Sequence, residues 1–181
     1  MDDAQLVEAC KKKDRNAQKE LYERYAAAML GVCMRYTQSR EAAEDVLHDG
    51  FLRIFDSIKS IRNPQSLRSW MHSIMIRTAV AYYRQNNDTT EIRTDETELE
   101  LSDNTTQIYD NIDLEVILKA IKELPETYRI TFNLCEVEEY EFDEVGEMLG
   151  VKSSTVRSNL CRAKKILQQK LSPLFDKQKE K

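Results

Sequence analysis

A row of hydroxyl and cationic side chains near the carboxyl end of the chain has the chemistry of a DNA-binding helix. Apolar residues recur at every third or fourth position from Val156 to Leu174, which predicts a helix that packs one stripe on a core. The polar side chains that this helix would leave exposed are Ser153, Ser154, Thr155, Arg157, Ser158, Arg162 and Lys165. Hydroxyl and guanidinium groups on an open helix face can bind phosphates and base edges in the major groove. We therefore identify them as candidate DNA contacts.

A shorter helix before this one completes a helix-turn-helix pattern. Apolar residues have helical spacing over Phe142–Leu149, Gly150 favours a left-handed helix end, and Ser153 is expected to cap the next helix. A helical hairpin with a solvated basic face would have the same pattern. The distribution of charge favours the DNA-binding interpretation. Residues 151–181 contain nine Lys or Arg against two acids, although the net charge of the whole chain is −5.

Composition predicts an all-helical, cytoplasmic protein. The 181 residues include only four Gly and three Pro, with 41% apolar residues and almost no alternating apolar pattern. No apolar run approaches the length of a membrane span, and the polar start of the chain does not resemble a secretory signal.

The cysteines and histidines do not form a metal-binding or catalytic pattern. They are distant from one another in the sequence: Cys10, Cys33, Cys135, Cys161, His48 and His72. Buried or half-buried free thiols are favoured over a zinc site assembled from separate helices. No phosphate-binding glycine loop and no nucleophile with a base partner can be placed. We expect no metal, no cofactor, no small-molecule substrate and no enzymatic activity.

The first part of the chain is expected to form a helical unit over residues 1–85. Asp3 is expected to cap a first helix that ends at Lys12, and Asp14 to precede a longer helix that ends at Tyr36. Ser39 is expected to cap a third helix from Arg40 to about Ser57. A loop from Lys59 to Gln65 then leads to a fourth helix from Leu67 to about Gln85. The residues expected to pack inward from that last helix are Leu67, Trp70, Ile74, Thr78 and Tyr82.

An acidic stretch separates this unit from a second one. Residues 86–113 contain nine acids against Arg93 and have no sustained apolar period, which is typical of a flexible linker. A second unit over residues 114–174 and a basic tail over residues 175–181 follow. The apolar stripe expected for the first helix of the second unit is Leu114, Ile117, Leu118, Ile121 and Leu124, before a further helix from Tyr128 to Val137.

The outer face of the third helix is a candidate protein-docking surface. Asp45, His48, Asp49 and Leu52 fall at i, i+3, i+4 and i+7, so they share one line of the helix. A charged line is often only a solvated face. The leucine in this line favours docking.

A second basic region lies between Arg53 and Arg84, where there are six Lys or Arg and one acid. Its candidate contacts are Arg62, Asn63, Arg68, Arg77 and Arg84. Cations with aromatic residues nearby suit single-stranded nucleic acid as well as duplex.

Two sets of motifs carry a family resemblance. The first set is Glu20-Leu21-Tyr22-Glu23-Arg24-Tyr25, the run from Ala43 to Phe55, Ser69-Trp70-Met71, and Tyr82-Tyr83-Arg84. The second set is Leu124-Pro125 with Arg129, Asp143-Glu144-Val145, Thr155-Val156-Arg157-Ser158, and Arg162-Ala163. In this order they resemble the extracytoplasmic-function (ECF) group of bacterial sigma factors, which keep only regions two and four of the sigma-70 family.

The resemblance implies an alternative sigma factor with region two over residues 1–85 and region four over residues 114–174. The line on the third helix would bind core RNA polymerase. The loop and helix from Ile61 to Arg84 would recognise and open the minus-ten element, and the helix from Ser153 to Lys165 would bind the minus-thirty-five duplex. An anti-sigma factor, often membrane-anchored in this family, is a further candidate partner.

Three positions depart from the family pattern. His48 stands where the family usually has Gln, Arg77 where it usually has Asn, and Ala81 where it usually has Asp. Two alternatives remain open: a sigma-like mimic that sequesters an anti-sigma factor without binding DNA, and a stand-alone helix-turn-helix regulator. The first would not need the basic faces, and the second would not need the first unit.

Overall fold

The computed structural model describes residues 1–87 and 114–176, which contain helices and no strand. The predicted all-α class is therefore confirmed for the described residues. The chain divides into two compact units, Met1–Thr89 and Thr90–Lys181.

The first unit contains α1 (Asp3–Lys11), α2 (Arg15–Tyr36), α3 (Arg40–Ser57) and α4 (Leu67–Asn87). Short side chains fix the helix starts because they accept hydrogen bonds from otherwise unpaired backbone N–H groups. Asp14 caps α2 and Ser39 caps α3, as the sequence predicts. Asp3 was the expected start of α1, but the cap is Asp2, whose carboxylate accepts from the Gln5 N–H at 2.8 Å.

A polar network ties α1 to α2. The Arg24 guanidinium donates to the Asp3 carboxylate at 3.0 Å, and the Tyr25 hydroxyl donates to the same oxygen at 2.8 Å. Burial and the neighbouring carboxylate raise the pKa of the Tyr25 hydroxyl, which keeps it a donor. The motif around Arg24 and Tyr25 therefore has a structural role in this unit.

The inner face of α4 agrees only in part with the prediction, because Leu67 and Thr78 are buried as expected but the other three residues are not. Trp70, Ile74 and Tyr82 are only half-buried. The fully buried residues of this helix are Leu67, Met71, Met75, Ile76, Thr78, Ala79, Val80 and Tyr83. Because α4 has apolar residues on almost every side, periodicity alone did not fix which of them would pack inward. The helix also runs to Asn87, past its expected end at Gln85.

Short 3-10 turns occupy part of the expected loop between α3 and α4. They span Ile58–Ser60 and Pro64–Ser66, and Ile61 between them is buried. The Asn63 side chain accepts from the Gln65 N–H at 3.0 Å and starts the second turn. The segment is therefore anchored to the unit at Ile61.

The second unit contains α5 (Leu114–Lys122), α6 (Glu126–Phe132), α7 (Phe142–Leu149) and α8 (Ser153–Asp176), with α6 extended by a π turn over Asn133–Val137. Its core cluster joins Ala120 and Leu124 to Ala163 and Leu167. Leu114 and Leu118 were expected to be buried but are 66% and 55% exposed. They lie on the side of α5 that does not face this small core.

The turn of the helix-turn-helix depends on two glycines. Gly150 ends α7 with φ 72° and ψ 31°, a left-handed conformation that the sequence predicted. A Cβ at Gly146 would lie 2.8 Å from the carbonyl oxygen of Val151, which leaves no room for a side chain. Ser153 was the expected cap of α8 but is its first residue, and the Lys152 carbonyl accepts from the Val156 N–H at 3.2 Å. The 86–113 linker beyond Asn87 and the tail beyond Asp176 lie outside the described residues.

Gly146→Ala is expected to lower the free energy of unfolding of the second unit by about 1 to 3 kcal/mol, because backbone must shift to admit the methyl group. Gly31→Ala is the matched control, because a Cβ there has nothing within 4 Å. That variant is expected to stabilise α2 by about 0.5 to 1 kcal/mol, the ordinary gain of Ala over Gly in a helix. Amide hydrogen exchange of peptides from each unit measures both changes. Wild-type protection of α7 in Gly146→Ala would contradict the packing argument.

Candidate nucleic-acid and protein interfaces

The amino-terminal half of α8 presents an open polar face. Ser154, Arg157, Ser158 and Lys165 fall at i, i+3, i+4 and i+11, which places them on one side of the helix. Ser154, Arg157 and Lys165 are exposed and Ser158 is half-buried. The opposite side contains the buried Val156, Leu160, Ala163 and Leu167. Ser153 and Thr155 are half-buried at the flanks of the open face.

Arg157 is the exposed arginine of this face. Its guanidinium carbon lies over the ring of Phe142, 5.3 Å from the centroid. Among the residues that the structure describes, no carboxylate lies within ion-pair distance of Arg157. Other cations of α8 do have acid partners: Lys164 pairs with Glu136 at 2.8 Å. Arg157 therefore keeps its charge available for an anionic ligand.

Arg162 lies at the edge of the same face. It is half-buried, and its Nη1 donates to the Tyr128 hydroxyl at 3.4 Å, so the side chain is turned toward α6. Of the two arginines that the sequence predicted to contact DNA, Arg157 is thus on the open side of α8 and Arg162 is on its flank.

A buried arginine links α5 and α6 in the same unit. Arg129 in α6 is only 6% exposed, and its Nη1 donates to the Lys122 carbonyl at 3.4 Å. That carbonyl is at the end of α5, where backbone acceptors have no partner within the helix. Burial lowers the pKa of the Arg129 guanidinium. Its role is to join α5 to α6.

A second open face lies on α4. Trp70, Arg77 and Arg84 are spaced at i, i+7 and i+14, which keeps them on one side of the helix. Trp70 is half-buried, and both arginines are exposed. Arg68 is also exposed. Because it precedes Arg77 by nine positions, it projects from the opposite side of the helix.

The remaining predicted contacts of this region lie before α4. Arg62 is exposed next to the anchored Ile61, and Asn63 uses its side-chain oxygen to cap the turn at Pro64. The sequence prediction assigned Trp70 to the core, whereas the side chain is half-buried on the same side of α4 as Arg77. Its spacing of seven from Arg77 is the signal that could have revealed a shared face.

The predicted docking line on α3 is exposed at every position. Asp45, His48, Asp49 and Leu52 are all accessible, and Leu52 is 52% exposed. An exposed apolar side chain one turn from a carboxylate suits a protein partner with both apolar and cationic groups.

A cleft beside this line extends the surface to α2. The cleft has a volume of about 300 Å³ and is lined by Tyr22, Ala26, Ala27, Leu30, Glu44, Leu47 and His48. Tyr22 is 41% exposed, and its ring centroid lies 4.6 Å from that of Phe51. His48 belongs to both the line and the cleft. The α2 residues were not predicted as a site, although the small side chains at Ala26 and Ala27 indicate room for a partner.

The cysteines are free thiols, as predicted. Cys10 and Cys33 are buried, and Cys135 and Cys161 are half-buried. Burial raises the pKa of Cys33 to about 12 and that of Cys135 to about 11. Over residues 1–87 and 114–176, no group of three or more His, Cys, Asp or Glu is arranged to hold a metal ion. Within the same ranges, no helix has the length and apolar character needed to cross a bilayer.

Family profiles match both units. The profile described as "Sigma-70 region 2" matches residues 21–89, and the profile described as "Sigma-70, region 4" matches residues 114–167. The first match contains α3, α4 and most of α2, and the second contains the helix-turn-helix. The two profiles occur in the order that the sequence motifs predicted.

Several RNA polymerase sigma factors are similar to this chain over most of its length. The RNA polymerase sigma factor SigV of Bacillus subtilis is 28% identical over 76% of this chain and 80% of its own length. The ECF RNA polymerase sigma-E factor of Haemophilus influenzae is 27% identical over 96% of this chain and 97% of its own. A similar fold occurs in the sigma factor RpoE of Bartonella quintana, solved with the anti-sigma factor NepR, at a TM-score of 0.50 and 19% identity over 85% of this chain and 96% of that one. The chain belongs to the sigma-70 family of RNA polymerase sigma factors, in its ECF group.

Proposed function

We propose that this chain directs promoter-specific transcription by binding core RNA polymerase through α2 and α3, opening the minus-ten element with α4 and binding the minus-thirty-five element with α8. The observation that carries the proposal is that each unit leaves one cationic helix face open. The protein acts in the cytoplasm by binding, and it needs no cofactor or catalytic residue.

The α8 face suits the major groove of a duplex. The serines at its amino end can donate to phosphates and fix the register of the helix, while a guanidinium can donate two parallel hydrogen bonds to a guanine edge. Arg157 has the exposure for a base contact. Arg162, held at the flank by Tyr128, is better placed for the backbone.

Arg157→Ala is expected to weaken binding of the holoenzyme to promoter duplex by about 1 to 3 kcal/mol and to reduce discrimination at one base pair. Arg162→Ala is expected to weaken binding to all sequences alike, because a phosphate contact carries little base information. Binding competition on promoter fragments with single base-pair changes measures both effects.

Lys170→Ala is the control for charge. It removes one cation from the same helix, but Lys170 pairs with Glu123 at 2.7 Å and lies away from the open face. An Arg157→Ala variant that behaved like Lys170→Ala would exclude the groove assignment.

The α4 face suits a separated strand. An indole can stack with an unpaired base, and the guanidinium groups one and two heptads further along can bind the phosphates of the same strand. Strand opening costs stacking and pairing energy, so a surface that binds only the unpaired state shifts the equilibrium toward the open complex.

Trp70→Ala is expected to reduce open-complex formation, because stacking of one base contributes about 1 to 3 kcal/mol. Trp70→Phe keeps a ring and is expected to recover part of the loss. Permanganate reactivity of unpaired thymines in the minus-ten region measures opening, and binding to a minus-thirty-five duplex provides the internal control. Equal opening by Trp70→Ala and wild type would rule out stacking on this residue.

The α3 line and its cleft suit a helical partner on the polymerase. Leu52 and the cleft provide apolar contact, and Asp45 and Asp49 provide charge that can pair with cations on the partner. The exposed charges are expected to affect the association rate more than the dissociation rate.

Asp49→Lys is expected to weaken assembly with core polymerase while leaving the fold intact, because the residue is exposed and like charges would face each other across the interface. Glu8→Lys in α1 makes the same change in charge at an exposed site outside the line. Native gel titration of core polymerase with each variant measures assembly. If both variants assembled like wild type, the docking line would have to be placed elsewhere.

The alternative functions make different predictions in one transcription assay. Core polymerase supplied with this chain and pooled genomic promoter fragments from its source should yield new transcripts with shared upstream sequences. A sigma mimic would yield none and would bind an anti-sigma factor alone. A stand-alone regulator would bind duplex without polymerase.

A further inference from the structure

We infer that Phe142 is a positioning residue for promoter recognition, which keeps the Arg157 guanidinium ready to contact a base edge. The inference rests on the proposed function of α8. It concerns a residue that lies on α7, outside the open face itself.

The contact joins the first residue of α7 to the first turns of α8. The Arg157 guanidinium carbon lies 5.3 Å from the centre of the Phe142 ring, within the range of a cation–π interaction. Phe142 is half-buried while Arg157 is exposed. Part of the ring is therefore fixed in the unit, and the rest is available to the arginine.

This contact is compatible with base recognition. A ring interacts with the flat face of the guanidinium, whereas the N–H donors point outward in the guanidinium plane. An arginine over a ring can therefore still donate two parallel hydrogen bonds to a base. An ion pair would instead occupy those donors, and among the described residues Arg157 has no carboxylate partner.

The backbone that carries the Phe142 ring is fixed within the unit. Glu141 and Glu144 form a capping box at the start of α7, in which the Glu141 N–H donates to the Glu144 carboxylate at 3.1 Å. Further along α7, Gly146 lies so close to the turn that a Cβ would be 2.8 Å from the Val151 carbonyl oxygen, so α7 packs tightly against the backbone that leads into α8. Both ends of the segment that joins the ring to Arg157 are thus defined.

Positioning matters because a free arginine side chain has many rotamers. Ordering such a side chain at an interface costs free energy that is subtracted from binding. A contact already made in the unbound protein removes part of that cost and favours the orientation that reaches the groove. Phe142 thereby acts through Arg157 without touching DNA.

The test compares Phe142→Leu, Phe142→Tyr, Arg157→Ala and the Phe142→Leu/Arg157→Ala double variant in full-length chain assembled with core polymerase. The DNA is a promoter found by the transcription assay, together with fragments carrying each single base-pair change in its minus-thirty-five element. Phe142→Leu is expected to weaken binding about two- to fivefold, the range of an exposed cation–π contact. Phe142→Tyr keeps the ring and should bind like wild type.

The pattern of discrimination separates positioning from a structural role. Phe142→Leu should lose discrimination only at the base pair that Arg157→Ala no longer distinguishes, and the double variant should be no weaker than Arg157→Ala. Unchanged or tighter binding by Phe142→Leu, an equal loss on every sequence, or full additivity would overturn the inference. If leucine disturbs α7, seen as lost hydrogen-exchange protection, Phe142→Met provides the same comparison.

The same data distinguish failure of this inference from failure of the proposed function. If Arg157→Ala loses discrimination and Phe142→Leu does not, only the positioning role is wrong. If Arg157→Ala discriminates like wild type, the assignment of base recognition to Arg157 is wrong, and the role of Phe142 fails with it.

Discussion

Burial of one apolar stripe on each helix determines which side chains of this protein remain available for binding. In α8 the buried residues Val156, Leu160 and Ala163 set the rotation of the helix, and that rotation leaves Ser154 and Arg157 on the open side. A helix rotated by half a turn would bury Arg157 without an acidic partner. Burying such an unpaired cation costs several kcal/mol, so that rotation is strongly disfavoured. The binding faces are thus a consequence of packing and do not need separate stabilisation.

The same constraint explains why the sequence predicted α3 and α8 better than α4. Apolar and charged residues alternate with a clear helical period in α3, so the exposed line from Asp45 to Leu52 could be identified from spacing. In α4 apolar residues surround the helix axis, and several rotations would bury a similar area. Only tertiary packing, in which Met75 fills the space opened by Gly50 of α3, selects the face that leaves Trp70 half-exposed.

The sequence alone could not predict contacts between side chains that are distant from each other along the chain. The tilt of Arg162 toward Tyr128 and the contact of Arg157 with Phe142 join residues that are 34 and 15 positions apart. The burial of Arg129 belongs to the same class, since its acceptor at Lys122 is a backbone carbonyl that no side-chain pattern could reveal. Periodicity gives the face of a helix, whereas its neighbours decide how each side chain on that face is oriented.

The uneven charge of the chain has a consequence for where the free protein resides. The first 150 residues carry a net charge of −12, from 18 cations against 30 acids, while residues 151–181 carry +7. Beyond a Debye length of about 8 to 10 Å, interactions between exposed charges are largely screened, so DNA attracts this chain only when the basic region itself comes within that distance. The acidic remainder of the chain adds nothing to this attraction, so the free chain is expected to bind bulk DNA only weakly, since sequence-independent binding depends on the number of phosphates that cations neutralise.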